Sequence, residues 1–398
     1  MPPEPPTVSA TDANPVWGSD WPEVRDLWPL ESTVAHLNHG SFGAAPTSVL
    51  AEQQSWRERM ESNPNRFFRR EAAAALEEAR EEVGAFFGAE PGSVVFVDSV
   101  TAGANTVIAS FPLGPGDVVL LTDHSYGAVR IAAERVCADR GAAVETVHVP
   151  LDADEAAVTE LVLAAVHSRT RLVVLDHVTS ATARQLSVAA LVPAVQERGA
   201  AVLVDGAHAL AMLDVDLTRL GADFYVGALH KWCCGPRGSA LLHVPGHRQA
   251  MVRPLVASWG EHEGFPRSFD EAANSDPSGW LAAPRALRHL DGLGLDRLRE
   301  HNVALAIAGQ QVVADALGLG ADELPRDPQL SMQLVPLPAG VASTPADASA
   351  LQDRLGTESS VEVAVTSWDG RGFVRVSAQA YNTPAEYERL AAELPGLL

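Results

Sequence analysis

Asp223-Phe-Tyr-Val-Gly-Ala-Leu-His230-Lys231-Trp-Cys-Cys-Gly-Pro-Arg-Gly238 reads as an apolar strand that ends in His-Lys and runs into a Gly-Pro-x-Gly turn. Lys231 is the only lysine in 398 residues. A GC-rich coding sequence accounts for the many arginines, but not for the survival of one lysine inside a dense motif. A guanidinium stays protonated and cannot form an imine, so a site that needs a nucleophilic amine cannot exchange this residue for arginine. A solvated loop lysine is the plainer alternative. The residue's solitude, 26 positions beyond the aspartate that ends another apolar run, argues against it.

On the N-terminal side of this stretch, short apolar runs alternate with alanine-rich helical stretches. The runs are Val94–Val97, Val118–Thr122, Leu172–Asp176, Ala201–Asp205 and Phe224–Val226, and Ala240–Val244 follows the lysine. Glu71–Phe87, Ala102–Ser110 and Glu155–Val166 carry helical periodicity. Buried strands interleaved with helices predict an α/β fold around a mostly parallel sheet covered on both faces. Sites in such sheets lie at the carboxyl ends of the strands. After Trp259 the pattern changes. Glu261–Ser278 is polar and turn-rich; it is followed by a predicted helix over Leu287–Leu317, strands near Ser331–Val335, Val361–Ser367 and Phe373–Ser377, and a helix from Pro384. These elements predict a smaller α+β domain.

Two more strand ends bear on the chemistry. Val94–Val97 runs into Asp-Ser-Val-Thr-Ala-Gly-Ala-Asn (98–105), a small-residue turn that opens a helix. Free amides and the positive end of the helix dipole suit a phosphate there, with Thr101, Ala102 and Gly103 as its ligands. An ordinary capped helix serves the sequence as well. Ala201-Val-Leu-Val-Asp205-Gly-Ala-His208 places a carboxylate at a buried strand end, where it could cap the next turn or hold a proton on a pyridine nitrogen. Together, a phosphate cradle, a buried carboxylate and a lone lysine fit pyridoxal 5′-phosphate (PLP), whose protonated ring accepts electrons from a substrate carbanion.

Composition narrows the setting. The formal net charge of −22 disfavours nucleic acid and anionic membranes as partners. No apolar run reaches the ~18–20 residues of a membrane span, and MPPEPPTVSATDANP reads as a flexible Pro-rich tail with no signal peptide, so the cytoplasm is expected. Cys137, Cys233 and Cys234 give neither a disulfide framework nor zinc spacing, and no metal is expected.

Nearly the whole chain resembles class V of the PLP-dependent fold type I enzymes, on the side of the isopenicillin N epimerase-like and C–S lyase branch. Leu37-Asn-His-Gly-Ser-Phe-Gly43, Thr122-Asp-His-Ser-Tyr126, His177-Val-Thr-Ser180, the His-Lys motif and Val374-Arg-Val-Ser377 carry the likeness. The resemblance implies that His124 stacks on the ring and Tyr126 borders the site. Ser180 and His208 would lie near the cofactor's phenolic oxygen, with His230 beside the lysine. Asn38 and His39 would meet substrate, and Arg375 would grip its carboxylate. It also implies a homodimer with shared active sites and three segments: 1–45 near the small domain and active site, a PLP-binding domain over 46–265, and a small domain over 266–398. His124 and His208 as satisfied structural histidines, Arg375 as a surface charge, and Asn38 and His39 as turn caps remain the alternatives.

The sequence departs from the family pattern at three places. Ala228 replaces a phosphate-touching hydroxyl. Ala273-Asn-Ser-Asp276 replaces Gly-Thr-Arg-Asp, so Asn274 could still donate to the neighbouring subunit's phosphate, but Ser275 takes an arginine's place. Val365–Phe373 holds no cysteine for persulfide chemistry. The leading expectation is a PLP enzyme acting at Cα and Cβ of an amino acid, as a C–S β-lyase of an S-conjugated cysteine in specialised or antibiotic biosynthesis. Epimerisation, decarboxylation, transamination and cofactor binding without turnover are the alternatives.

Overall fold

The computed structural model describes residues 22–270 and 275–398. The reading of the N-terminal tail and the assignment of Asn274 fall outside the described residues. The chain forms two compact units, a large one from Val49–Thr179 and Leu186–Leu287, and a smaller one from the segment ending at Ser48, Ser180–Gln185, and Arg288–Leu398. The division expected at 265/266 thus differs from the observed one. Ser278–Leu281 stays with the large unit because Trp280 stacks on Phe96, ring centroids 5.9 Å apart. The N-terminal segment joins the small unit, where Ala35–His36 pairs in parallel with Val361–Glu362.

The large unit is built on seven strands: β1 Val94–Val97, β2 Val118–Thr122, β3 Ala143–Val147, β4 Thr170–Asp176, β5 Ala201–Gly206, β6 Phe224–Ala228 and β7 Ala240–His243. Their spatial order is β1-β7-β6-β5-β4-β2-β3, and only β7 runs antiparallel. Helices α1 Ala72–Phe86, α2 Val100–Ser110, α3 Gly127–Arg140, α4 Glu155–Ala165 and α5 Val188–Gln196 complete it. One face of the sheet packs against α2 and α3, joining Val97, Leu172, Val174, Ala201, Leu203 and Val226 to Ala104, Val107, Ile108, Val129 and Ala133. Strand side chains alternate with period two. Asp176 therefore continues the row Leu172–Val174, and Asp205 the row Ala201–Leu203, on this same face. Two glycines permit close packing: on this face a Cβ on Gly103 would lie 2.8 Å from Val226 Cγ1, and on the opposite face one on Gly206 would lie 2.1 Å from Tyr225 Oη.

The small unit holds an antiparallel sheet of β8 Met332–Pro336, β9 Ala364–Trp368 and β10 Arg371–Ser377, with β10 central. Helices α6 Leu295–Ala316, α7 Pro345–Ser359 and α8 Pro384–Leu397 supply Leu305, Val313, Leu351, Leu355, Leu390 and Leu394 to a core shared with Val335, Val374 and Val376. The single helix expected over 287–317 is two, Ala283–Leu293 and α6. Gly294 adopts φ +82 between them, a left-handed conformation that ends one helix before the next begins.

Candidate active site

Asp205, next to last in β5, is fully buried, and its Oδ1 accepts the Ala207 amide at 3.0 Å. Burial pushes its carboxyl up; that amide and the positive charge of Lys231 pull it back. Lys231 follows β6, with its Nζ 3.2 Å from His208 Nε2. Trp232 Nε1, which can only donate, reaches His208 Nδ1 at 3.4 Å. The two contacts hold the His208 ring between Trp232 and the lysine, and the Lys231 amine lies within electrostatic reach of the buried Asp205.

The turn after β2 carries His124 and Tyr126. His124 is buried, and its Nε2–H donates to Val149 O at 2.7 Å, which fixes the ring's orientation. Tyr126 is half exposed. His177, after β4, meets Tyr225 Oη through Nδ1 at 3.1 Å, and burial lowers its pKa to about 4, so its ring stays neutral. His230 donates from Nδ1 to Ser239 O at 3.1 Å, and burial lowers its pKa as well. Its Nε2 can therefore donate to a phosphate only when the ring is cationic.

Sequence reasoning placed the phosphate on Thr101, Ala102 and Gly103, and the structure redistributes those donors. Ser99 caps α2: its Oγ accepts the Ala102 amide at 3.0 Å, and its carbonyl accepts the Gly103 amide at 3.0 Å. Gly103 is instead the glycine that lets α2 approach β6. Among the described residues, the amides of Val100 and Thr101, with the Thr101 hydroxyl, are the donors left at the start of the helix. Val100 was missed because its apolar side chain gives no hint of its amide.

In the small unit Arg375 is fully buried on β10. Nη1 donates to the carbonyl of Ser180 and to its hydroxyl at 3.4 Å, while Nη2 donates to Ser41 Oγ at 3.0 Å and Asn38 Oδ1 at 3.4 Å. Nε has no acceptor, and among the described residues no carboxylate meets the guanidinium. Burial lowers its pKa to about 10, leaving it cationic at neutral pH. A buried cation held only by neutral oxygens is costly unless an anion completes it. Ser180, expected near the cofactor, serves this arginine. Ser41 was missed, although it stands in the quoted Asn-His-Gly-Ser run. His39, expected to meet substrate, turns inward: Nδ1 bonds Tyr381 Oη at 2.9 Å and Nε2 lies 3.3 Å from Gln379 Nε2. Its ring braces the turn that presents Asn38 and Ser41.

The residues fit PLP. A lysine amine beside a histidine, a buried carboxylate with one amide partner, a fixed histidine ring and unused amides at a helix start are the groups that the cofactor's aldehyde, ring nitrogen, ring face and phosphate require.

Comparison with known proteins agrees with this chemistry. Residues 42–390 match the aminotransferase class-V family. The isopenicillin N epimerase of Streptomyces clavuligerus is 33% identical over 95% of this chain and 98% of its own. A probable chloroplastic L-cysteine desulfhydrase of Arabidopsis thaliana is 30% identical over 92% of this chain and 83% of its own. The solved structure of a C-DES variant with glycine covalently linked to its PLP cofactor superposes with TM-score 0.78 at 21% identity, covering 93% of this chain and 98% of that one.

Proposed function

The chain belongs to the aminotransferase class-V family and is a PLP-dependent enzyme of fold type I, and on that premise we propose that it cleaves the C–S bond of an S-conjugated cysteine by β-elimination in a specialised biosynthetic pathway. When bound, the cofactor supplies the electron sink for the Cα carbanion. Lys231 would hold the cofactor, and its amine, when free, would take the Cα proton. The same ammonium can return that proton to the departing thiolate. Asp205 would keep the ring nitrogen protonated, His124 would face the ring, and His208, beside the lysine, would meet the phenolic oxygen. Val100 and Thr101 would hold the phosphate. Arg375, with Asn38 and Ser41 beside it, grips the substrate carboxylate.

One observation carries the choice of elimination. Inversion at Cα needs a proton donor besides Lys231, and the histidine expected on the ring commits its Nε2–H to Val149 O at 2.7 Å. The desulfhydrase likeness supports the same choice. Ser275, standing where an arginine is usual, removes a partner for a second anionic group on the substrate. The second reading is epimerisation, favoured by the 33% identity to isopenicillin N epimerase. Pyruvate and thiol release from a panel of S-substituted cysteines, set against inversion of isopenicillin N, decides between them. Elimination is expected to have the larger kcat/KM; clean inversion of the penicillin precursor by a wide margin would replace the lyase reading.

A homodimer belongs to this reading. Trp259 is 92% exposed, and Leu255, Val256 and Phe68 are also exposed. A pocket of about 190 Å³ beside Trp259 is lined by Phe68, Trp280 and Ser275. Exposed apolar surface of this kind suits a second copy. An active monomer in analytical ultracentrifugation would refute the dimer.

A further inference from the structure

Asp176 and Asp205 face each other in register across β4 and β5. Neighbouring strands lie ~4.8 Å apart, and both side chains project from the same face of the sheet. Both are fully buried. Asp205 has a role in the proposed chemistry; Asp176 has none. Asp176 accepts hydrogen bonds from the Ser125 hydroxyl and the Tyr126 amide, and so holds the turn that carries His124. Its Oδ2 is buried without a partner. An ionised carboxylate there would bury charge on an oxygen with no donor, beside a second carboxylate.

We infer that Asp176 is a positioning residue of the cofactor site: its carboxyl, kept as the neutral acid, ties the Ser125–Tyr126 turn to the end of β4 and leaves Asp205 the one anion of the pair. This rests on the reading of Asp205 as the partner of the ring nitrogen. Burial first, and the Asp205 charge second, push the Asp176 carboxyl well above the usual carboxylate range. The groups around it agree. On the β2 turn, His124 donates to Val149 O and Asp123 lies 2.7 Å from His148 Nδ1. His177, next in the chain, bonds Tyr225 of β6. The positive charge of Lys231 acts on Asp205. Seen from the sequence, Leu172-Val-Val-Leu-Asp176 and Ala201-Val-Leu-Val-Asp205 are the same device at two strand ends, yet only one aspartate is free to carry charge.

The test uses holoenzyme loaded with PLP labelled with ¹⁵N in its ring, and reads the ring-nitrogen shift against pH together with cofactor affinity. Asp176→Ala is expected to weaken cofactor binding on the order of tenfold through the loosened turn. Asp176→Asn, which mimics the neutral acid, should restore that affinity and leave the ring-nitrogen titration where the unaltered enzyme has it. Asp205→Asn should move that titration. Should Asp176→Ala fail to fold, Ser125→Ala removes the same anchor from the other side and is expected to lower affinity in the same direction. A ring-nitrogen shift in Asp176→Asn, or unchanged affinity in the turn-anchor variant that folds, overturns the inference. A silent Asp205→Asn instead overturns the Asp205 assignment and the lone-anion half with it, while the affinity arms still judge the anchor.

Discussion

Around Lys231 the large unit links side chains to one another, Trp232 donating to His208 and His208 in contact with the lysine, with Asp205 buried within reach of the lysine's charge. Around Arg375, among the described residues, the small unit offers only the neutral oxygens of Ser180, Asn38 and Ser41. In the first cluster the polar groups meet one another, an arrangement suited to proton transfer. In the second a fixed charge is buried with no counter-charge among the described residues, an arrangement suited to anion capture. A cluster that moves protons needs partners inside the protein, whereas one that holds a ligand leaves the last partner out.

Arg375 is where the two clusters differ most. If its charge is kept for a ligand, Arg375→Met should cut kcat/KM about a hundredfold, mostly through KM, since losing a buried charged contact costs roughly 2–5 kcal/mol. The same change removes an uncompensated buried cation, so Tm should hold or rise. Steady-state kinetics and a thermal melt on one variant read both; a large drop in Tm with modest kinetic change would make Arg375 a structural residue.

Acid should strike the large unit through its neutral histidines. His177 and His243 each titrate at about 4 in the fold, against about 6.5 unfolded, with burial as the cause. The unfolded chain therefore binds the extra protons. Stability is fully present above about pH 6.5 and is lost as pH falls from there through about 4, on the order of 3 kcal/mol for each histidine. Denaturant unfolding across that window should show this slope, shallower in His177→Asn. A flat profile would contradict the buried neutral rings.

A smaller effect sharpens the account of the lysine. Trp232→Phe removes the donor that holds the His208 ring beside the lysine, at about the strength of one hydrogen bond, ~1 kcal/mol or about fivefold. Reconstitution of cofactor-free enzyme with PLP should slow by that factor. Unchanged kinetics would show that the His208 ring is held by other contacts.

Much of this was legible in the sequence, and the rest was hidden for physical reasons. The strands of the large sheet announce themselves because burial on both faces leaves unbroken apolar runs. β3, Ala143–Val147, escaped notice because it is the edge strand and keeps Glu145 half in water. Lys231, Asp205 and Arg375 stood out by type and position. Asp176 did not, because its importance lies in facing Asp205, and register is a property of the sheet. Gly103 was read as a phosphate ligand because glycine near a helix start suits either a ligand or a neighbouring strand; only the approach to Val226 tells which. His39 has the chemistry of a ligand-binding residue, but both its ring nitrogens are engaged by Tyr381 and Gln379.

The central claim is that Lys231 carries the cofactor, and the chain's single lysine makes the measurement unusually clean. Borohydride treatment of the PLP-loaded enzyme, followed by peptide mass spectrometry, should find the reduced cofactor on the peptide that contains Lys231. Lys231→Ala should carry no such adduct and should lose turnover on the order of a thousandfold. Cofactor trapped at any other site, or full turnover by Lys231→Ala, would contradict the account.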